Sequence, residues 1–262
     1  MFHYSRAVLR VAIPTLADYF FVLKRWAKHI DKYPSPIRFV KIRKIIKFLS
    51  DSLQVDITVF GLENLPTDTN YYIVCNHMSA FDPLPFIINS ERHLTFVGKK
   101  ELMKAPFLPV AMKVIEGEYI DREDLRQSLK VMLKVEDDLK KGQKSWMVFP
   151  EGTRIRDQML PIGEFHHGTF RPAVKAGVPI VPAAVYGSFR VLKTKPQFKR
   201  YPVCISILKP IRPEDYAGMN TADIAKNVRE QIQREVTYHL RPLDHKIMSE
   251  TNKKKYCFNQ IV

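Results

Sequence analysis

The chain has 262 residues, 45% of them hydrophobic, which suffices for one large domain or for a domain with a smaller helical part. Its formal net charge is +15, and residues 1–50 hold eleven Lys or Arg against two Asp, so most of the excess sits in under a fifth of the chain. A focused basic end calls for an anionic partner, either a membrane surface or nucleic acid, while three unpatterned cysteines (Cys75, Cys204 and Cys257) exclude a disulfide scaffold and fit a reducing compartment.

Residues 1–50 read as helical. The most apolar run, VAIPTLADYFFVL at 11–23, falls short of the ~20 residues a membrane span needs and is interrupted by Pro14 and Asp18. It also lacks the small-residue cleavage site of a secretory leader. After YPSP at 33–36, the stretch 37–49 puts Phe39, Ile42, Ile45, Ile46 and Leu49 on one helical face and Lys41, Arg43, Lys44 and Lys47 largely on the other. That pattern suits an interfacial membrane helix, or else a helix packed on the domain with a solvated basic face. From residue 51 short strand patterns alternate with helices. Strands are expected within DITVFGLENLP, NYYIVCNH, HLTFVGKKELM, GEYIDRED, SWMVFPEGTR, VPIVPAAVYGS and YPVCISILKPI. Helices are expected at 83–90, at 123–141, over GTFRPAVKAG closed by Gly177, and at 221–240. The fold class is therefore α/β, with a mixed, largely parallel sheet covered by helices over 51–262 and a basic amphipathic region over 1–50. The tail 246–262 reads as weakly ordered.

Sites in open α/β sheets gather at the carboxyl ends of strands, and three polar clusters follow strand ends here. NHMSAFDP delivers His77 and Asp82, FPEGTR delivers Glu151, Gly152, Thr153 and Arg154, and EYIDR delivers Arg122. His77 and Asp82 stand five apart, so the chain between them must turn for them to meet. Pro83 then pushes Asp82 out of helical backbone space, which leaves two readings for the aspartate: partner of His77, or N-cap of helix 83–90. A second pair stands at the same spacing, His239 and Asp244 in HLRPLD; His239 lies at the end of a long helix that Pro242 is expected to stop, and reads as a surface or C-terminal helix residue. A carboxylate-held histidine is a general base. No G-x-S-x-G elbow occurs and nothing marks Ser79 as a nucleophile, so the hydroxyl to be deprotonated belongs to a substrate. Metal binding would need further ligands, for which only His166 and His167 offer themselves; no metal is expected. Arg122 and Arg154, with Lys99 and Lys100 of VGKKEL, suit a phosphate.

Four stretches in order resemble the motifs of the 1-acyl-glycerol-3-phosphate acyltransferases of bacterial type: NHMSAFD (N-H-x4-D), GEYIDR, FPEGTR and VPIVP. The resemblance covers roughly residues 55–215. It implies that His77, oriented by Asp82, deprotonates the acceptor hydroxyl, which attacks an acyl thioester directly with no acyl-enzyme. It also implies that Glu151, Gly152, Thr153 and Arg154 shape the acceptor site, that Arg122 and Arg154 with a lysine of GKKEL (Lys99 or Lys100) hold the phosphate, and that Val178–Pro182 supports the acyl side. The acceptor would be lysophosphatidic acid or another lysolipid and the product of the former phosphatidic acid. Acyl-CoA or acyl-carrier protein would be co-substrate, with no cofactor. Such an enzyme works at an anionic membrane surface, on the cytoplasmic face, as a peripheral or monotopic protein, and not on nucleic acid. Three departures stand out: Glu116 occupies the usual position of the second motif's Gly, Tyr119 replaces Phe, and FHHGTF carries His166 and His167 where Lys-Lys is usual. The rival class is a non-catalytic basic membrane- or nucleic-acid-binding protein.

Overall fold

The computed structural model describes residues 14–155, 162–192 and 200–251. Seven strands form one sheet in the order β1-β7-β6-β2-β5-β3-β4. They are β1 (Val55–Phe60), β2 (Tyr72–Cys75), β3 (Leu94–Lys99), β4 (Glu118–Ile120), β5 (Ser145–Val148), β6 (Ile180–Tyr186) and β7 (Tyr201–Ile207). Every pairing is parallel except β6 with β7. Five neighbours, β6, β2, β5, β3 and β4, therefore point the same way and end on one edge. The interior strands read as unbroken apolar runs because both faces are covered. Along β2, Ile73 and Cys75 enter one core layer while Tyr72 and Val74 enter the other, the period-two alternation of a strand.

Helices α1 (Lys24–Lys28), α2 (Ser35–Ser52), α3 (Pro83–Asn89) and α4 (Leu108–Val114) belong to the first layer. Helices α5 (Leu125–Lys140), α6 (Arg171–Ala176), α7 (Thr221–Glu235) and α8 (Arg241–Thr251) belong to the second. The apolar stripe of the basic helix faces inward: Phe39, Ile42, Ile45 and Ile46 of α2 are buried in the core shared with the sheet, and Leu49 packs against it. At about 2 kcal/mol per buried side chain, this face is committed to the domain. Arg38 on the same helix is buried too, donating to the carbonyls of Tyr33 (2.8 Å) and Val114 and to Glu116.

Pro242 does not stop the C-terminal helix as expected. A π-helical turn over Val236–Leu240 leads straight into α8, of which Pro242 is the second residue. Residues 246–251, expected to be weakly ordered, are the end of that helix. The rest of the tail, with Cys257, lies outside the described residues, as do 1–13. No helix among the described residues is long and apolar enough to cross a membrane.

Candidate active site at the carboxyl edge of the sheet

The end of β2 is built to turn. Asn76 leaves the strand by pairing its side chain with the β6 backbone: Nδ2 donates to Val185 O at 3.0 Å, and Oδ1 accepts from Val185 N at 2.8 Å. The amide substitutes for a ladder rung and frees the main chain to bend at His77. Asp82 sits at the head of α3 but makes no capping hydrogen bond to it. Its fully buried carboxylate turns back instead: Oδ2 accepts from His77 Nδ1 at 2.7 Å, Met78 N at 2.7 Å and Ser79 N at 2.8 Å. Of the two sequence readings for Asp82, pairing holds and capping does not. With donors converging on the carboxylate, Nδ1 carries the proton and Nε2 presents its lone pair. Among the described residues Nε2 has no hydrogen-bond partner, and the His77 side chain keeps 14% of its surface exposed. Its ring is stacked on Phe149, centroids 4.2 Å apart at 26°. Ser79 serves the turn, its Oγ accepting from Phe81 N at 3.2 Å.

Glu151 follows β5, the strand next to β2. Its buried carboxylate accepts from His77 N at 2.8 Å and from Gly163 N at 3.1 Å. It thus ties the histidine's backbone to the segment that follows the third motif. Burial pushes its pKa up to about 7, against the lowering effect of the two backbone hydrogen bonds, with the Asp82 charge adding to the rise. Gly152 has φ +67, and a methyl group there would stand 3.3 Å from the His166 ring and 3.8 Å from Arg122 Nε. The turn thus favours glycine for its backbone, and a side chain there would also press on the His166 ring. Arg122 and Arg154 converge at this place. Burial lowers the Arg122 pKa, the Glu101 charge opposes that fall, and the like charge of Arg154 adds to it. Thr153 is exposed in the same turn. Lys99 and Lys100, at the end of β3, are exposed and paired with Glu101 (2.9 Å) and Asp121 (2.6 Å). Exposed pairs of this sort are weak and exchangeable. The adjacent histidines part company: His166 lies on Gly152, whereas His167 Nδ1 faces Thr221 Oγ1 at 3.2 Å.

Glu116 explains one departure from the motif. Its φ is +56, backbone that favours glycine. Glutamate is held there by Arg38 and by Lys144 Nζ at 2.7 Å. Burial alone would raise its pKa, but these two cations outweigh burial and bring it to about 2. Two further residues escape sequence reasoning. Ser188, just past β6, donates to Asp82 Oδ1. Asp244, half of the second His–Asp spacing, is buried against Arg190, while its neighbour in that spacing, His239, pairs with Glu235 at 2.6 Å.

Comparison with known proteins fits this edge. A family described as "Acyltransferase" matches residues 56–186, from β1 to the end of β6, and so spans all three clusters; the fold and site define an acyltransferase of α/β type. A relative from Mycoplasma pneumoniae described as a probable 1-acyl-sn-glycerol-3-phosphate acyltransferase is 29% identical over 238 residues, covering 86% of this chain and 88% of its own. One from Mycoplasma genitalium with the same description is 30% identical over 75% of this chain and 76% of its own. The crystal structure of the 1-acyl-sn-glycerophosphate (LPA) acyltransferase, PlsC, from Thermotoga maritima has a TM-score of 0.65 at 27% identity, covering 88% of this chain and 96% of that one. The chain belongs to the 1-acyl-sn-glycerol-3-phosphate acyltransferase family and is an enzyme of that class.

Proposed function

We propose that the protein transfers a fatty acyl group from acyl-CoA or acyl-carrier protein to the sn-2 hydroxyl of lysophosphatidic acid, giving phosphatidic acid, with His77 as general base and Asp82 as the group that orients it. The observation that carries this reading is the 2.7 Å contact from His77 Nδ1 to a fully buried Asp82, which leaves Nε2 without a partner among the described residues, at the sheet edge from which Arg122 and Arg154 also follow. Nε2 takes the proton as the hydroxyl oxygen bonds to the thioester carbonyl carbon. The tetrahedral adduct collapses, the C–S bond breaks, and the imidazolium returns its proton to the leaving thiolate. Asp82 stabilises the imidazolium through that interval. Arg122 and Arg154 bind the phosphate, with Lys99 and Lys100 able to leave their surface partners and assist; Glu151, Gly152 and Thr153 shape the acceptor's surroundings.

The enzyme works from the anionic cytoplasmic face of the membrane as a peripheral or monotopic protein. Support comes from the exposed Phe20, Phe21, Ile37 and Val40 on the N-terminal elements, which lie among the exposed Lys24, Arg25, Lys28 and Lys44. The Lys41–Asp18 pair at 2.5 Å links those elements.

The acceptor is tested by steady-state acyl transfer to lysophosphatidic acid, lysophosphatidylcholine and monoacylglycerol. Arg122→Ala is expected to lower kcat/KM for lysophosphatidic acid about 100-fold, mainly through KM, as removal of a charged phosphate contact should. Acceptors without a free phosphate should be poor for wild type and little changed by the substitution. Equal use of all three acceptors by wild type would contradict the phosphate assignment.

A further inference from the structure

The Asp82 carboxylate has two oxygens, and they are loaded unequally. Oδ2 takes three donors, including His77 Nδ1; Oδ1 takes one among the described residues, the hydroxyl of Ser188. Ser188 and Asp82 are both fully buried, and 106 positions separate them. We propose that Ser188 is a positioning residue for His77, fixing Asp82 by its far oxygen so that Oδ2 stays on Nδ1. The proposal rests on the general-base reading of His77.

The turn that presents the hydroxyl is itself locked. Ser188–Arg190 forms one 3-10 turn directly after β6, with Val191 N donating to Ser188 O at 3.0 Å. Arg190 is buried and its guanidinium makes a two-point pair with Asp244 of α8, Nη1 to Oδ2 at 3.0 Å and Nη2 to Oδ1. Gly187, at φ +91, sits where a methyl group would meet Pro202 O at 2.5 Å, Arg190 Nη2 at 2.7 Å and Asp244 Oδ1 at 3.0 Å. The ion pair and the backbone thus crowd Gly187, and the turn that presents Ser188 is pinned to α8 through Arg190 and Asp244. A buried carboxylate oxygen stripped of its partner must find another or rotate, and rotation about the Cβ–Cγ bond shifts Oδ2 as well. The aspartate of the second His–Asp spacing is in this way two contacts removed from the first pair: it holds the arginine that holds the serine's turn.

Ser188→Ala, as the full chain and checked for folding by thermal melt, is expected to lose about tenfold or more in kcat with KM for both acyl donor and lysophosphatidic acid within twofold of wild type. A downfield proton resonance of His77 Hδ1 is expected in wild type, absent from His77→Ala, and should broaden or vanish in Ser188→Ala. A role in packing alone would lower the melting temperature and leave both kcat per folded molecule and that resonance in place. Ser188→Cys, near in shape and a weaker donor, carries the same test if the alanine variant does not fold, with kcat expected between the two. Wild-type kcat with an unmoved resonance in either folded variant overturns the proposal. Wild-type kcat in His77→Ala, measured alongside, would instead remove the general-base reading on which the proposal rests.

Discussion

Glu151 gives its buried carboxylate to the backbone. It receives the backbone N–H of His77 and of Gly163, in surroundings that push its pKa up to about 7 because burial disfavours the charge. Between the ordinary 4.5 and about 7 the folded protein binds a proton that the unfolded chain has released. Stability from this group is therefore present below that window and lost as pH rises through it. Glu151→Gln does not titrate, so the stability of wild type relative to the variant should fall by about 2 kcal/mol between pH 5 and pH 8, read from urea denaturation at each pH. A constant difference would mean that the carboxylate is solvated and not burdened by burial. His77, Asp82, Glu151 and Arg122 could be picked out of the sequence because each follows a strand end in a recognisable run. Ser188 could not, since a serine after a strand carries no signal until folding brings it to Asp82. Asp244 was hidden for the opposite reason: its spacing from His239 marked it only as a chance match at a helix end, and its partner Arg190 lies 54 positions away.

At the scale of elements, the sheet was readable from period and turn residues, while helix faces were less so. The stripe Phe39, Ile42, Ile45, Ile46 satisfies a membrane helix and a core helix equally, because both solvents for it are apolar. What decides between them is a tertiary contact, the buried Arg38 clamped to Glu116 and through it to Lys144. That cluster joins α2 to the segment before β4 and to the start of β5. Glu116→Gln removes the carboxylate that Arg38 and Lys144 share, leaving Lys144 its pair with Asp138 at 3.2 Å and Arg38 its two carbonyl acceptors, at a cost of about 3 kcal/mol. The melting temperature should fall by about 10 °C. Because the Glu116 pKa is held near 2 in the folded state, its contribution is present above the ordinary carboxylate range and lost as pH falls toward 2. The wild-type advantage over Glu116→Gln should therefore shrink in acid, and an advantage unchanged from pH 6 to pH 3 would contradict this assignment.

The whole molecule puts its candidate site at one sheet edge and two exposed phenylalanines on the N-terminal elements. Phe21 is 78% exposed and Phe20 52%, a poor arrangement in water. Replacing both with Asp should reduce flotation with vesicles containing anionic lipid at least fivefold, and leave kcat on short-chain, water-soluble substrates within twofold. Undiminished flotation would move the membrane contact elsewhere. The catalytic claim is tested most directly by single-turnover acyl transfer from a thioester to lysophosphatidic acid, with saturating donor, comparing wild type with His77→Ala. Loss of a general base predicts a rate about 10²–10⁴-fold lower with donor affinity unchanged. A His77→Ala rate equal to that of wild type would contradict the assignment of His77 as the base.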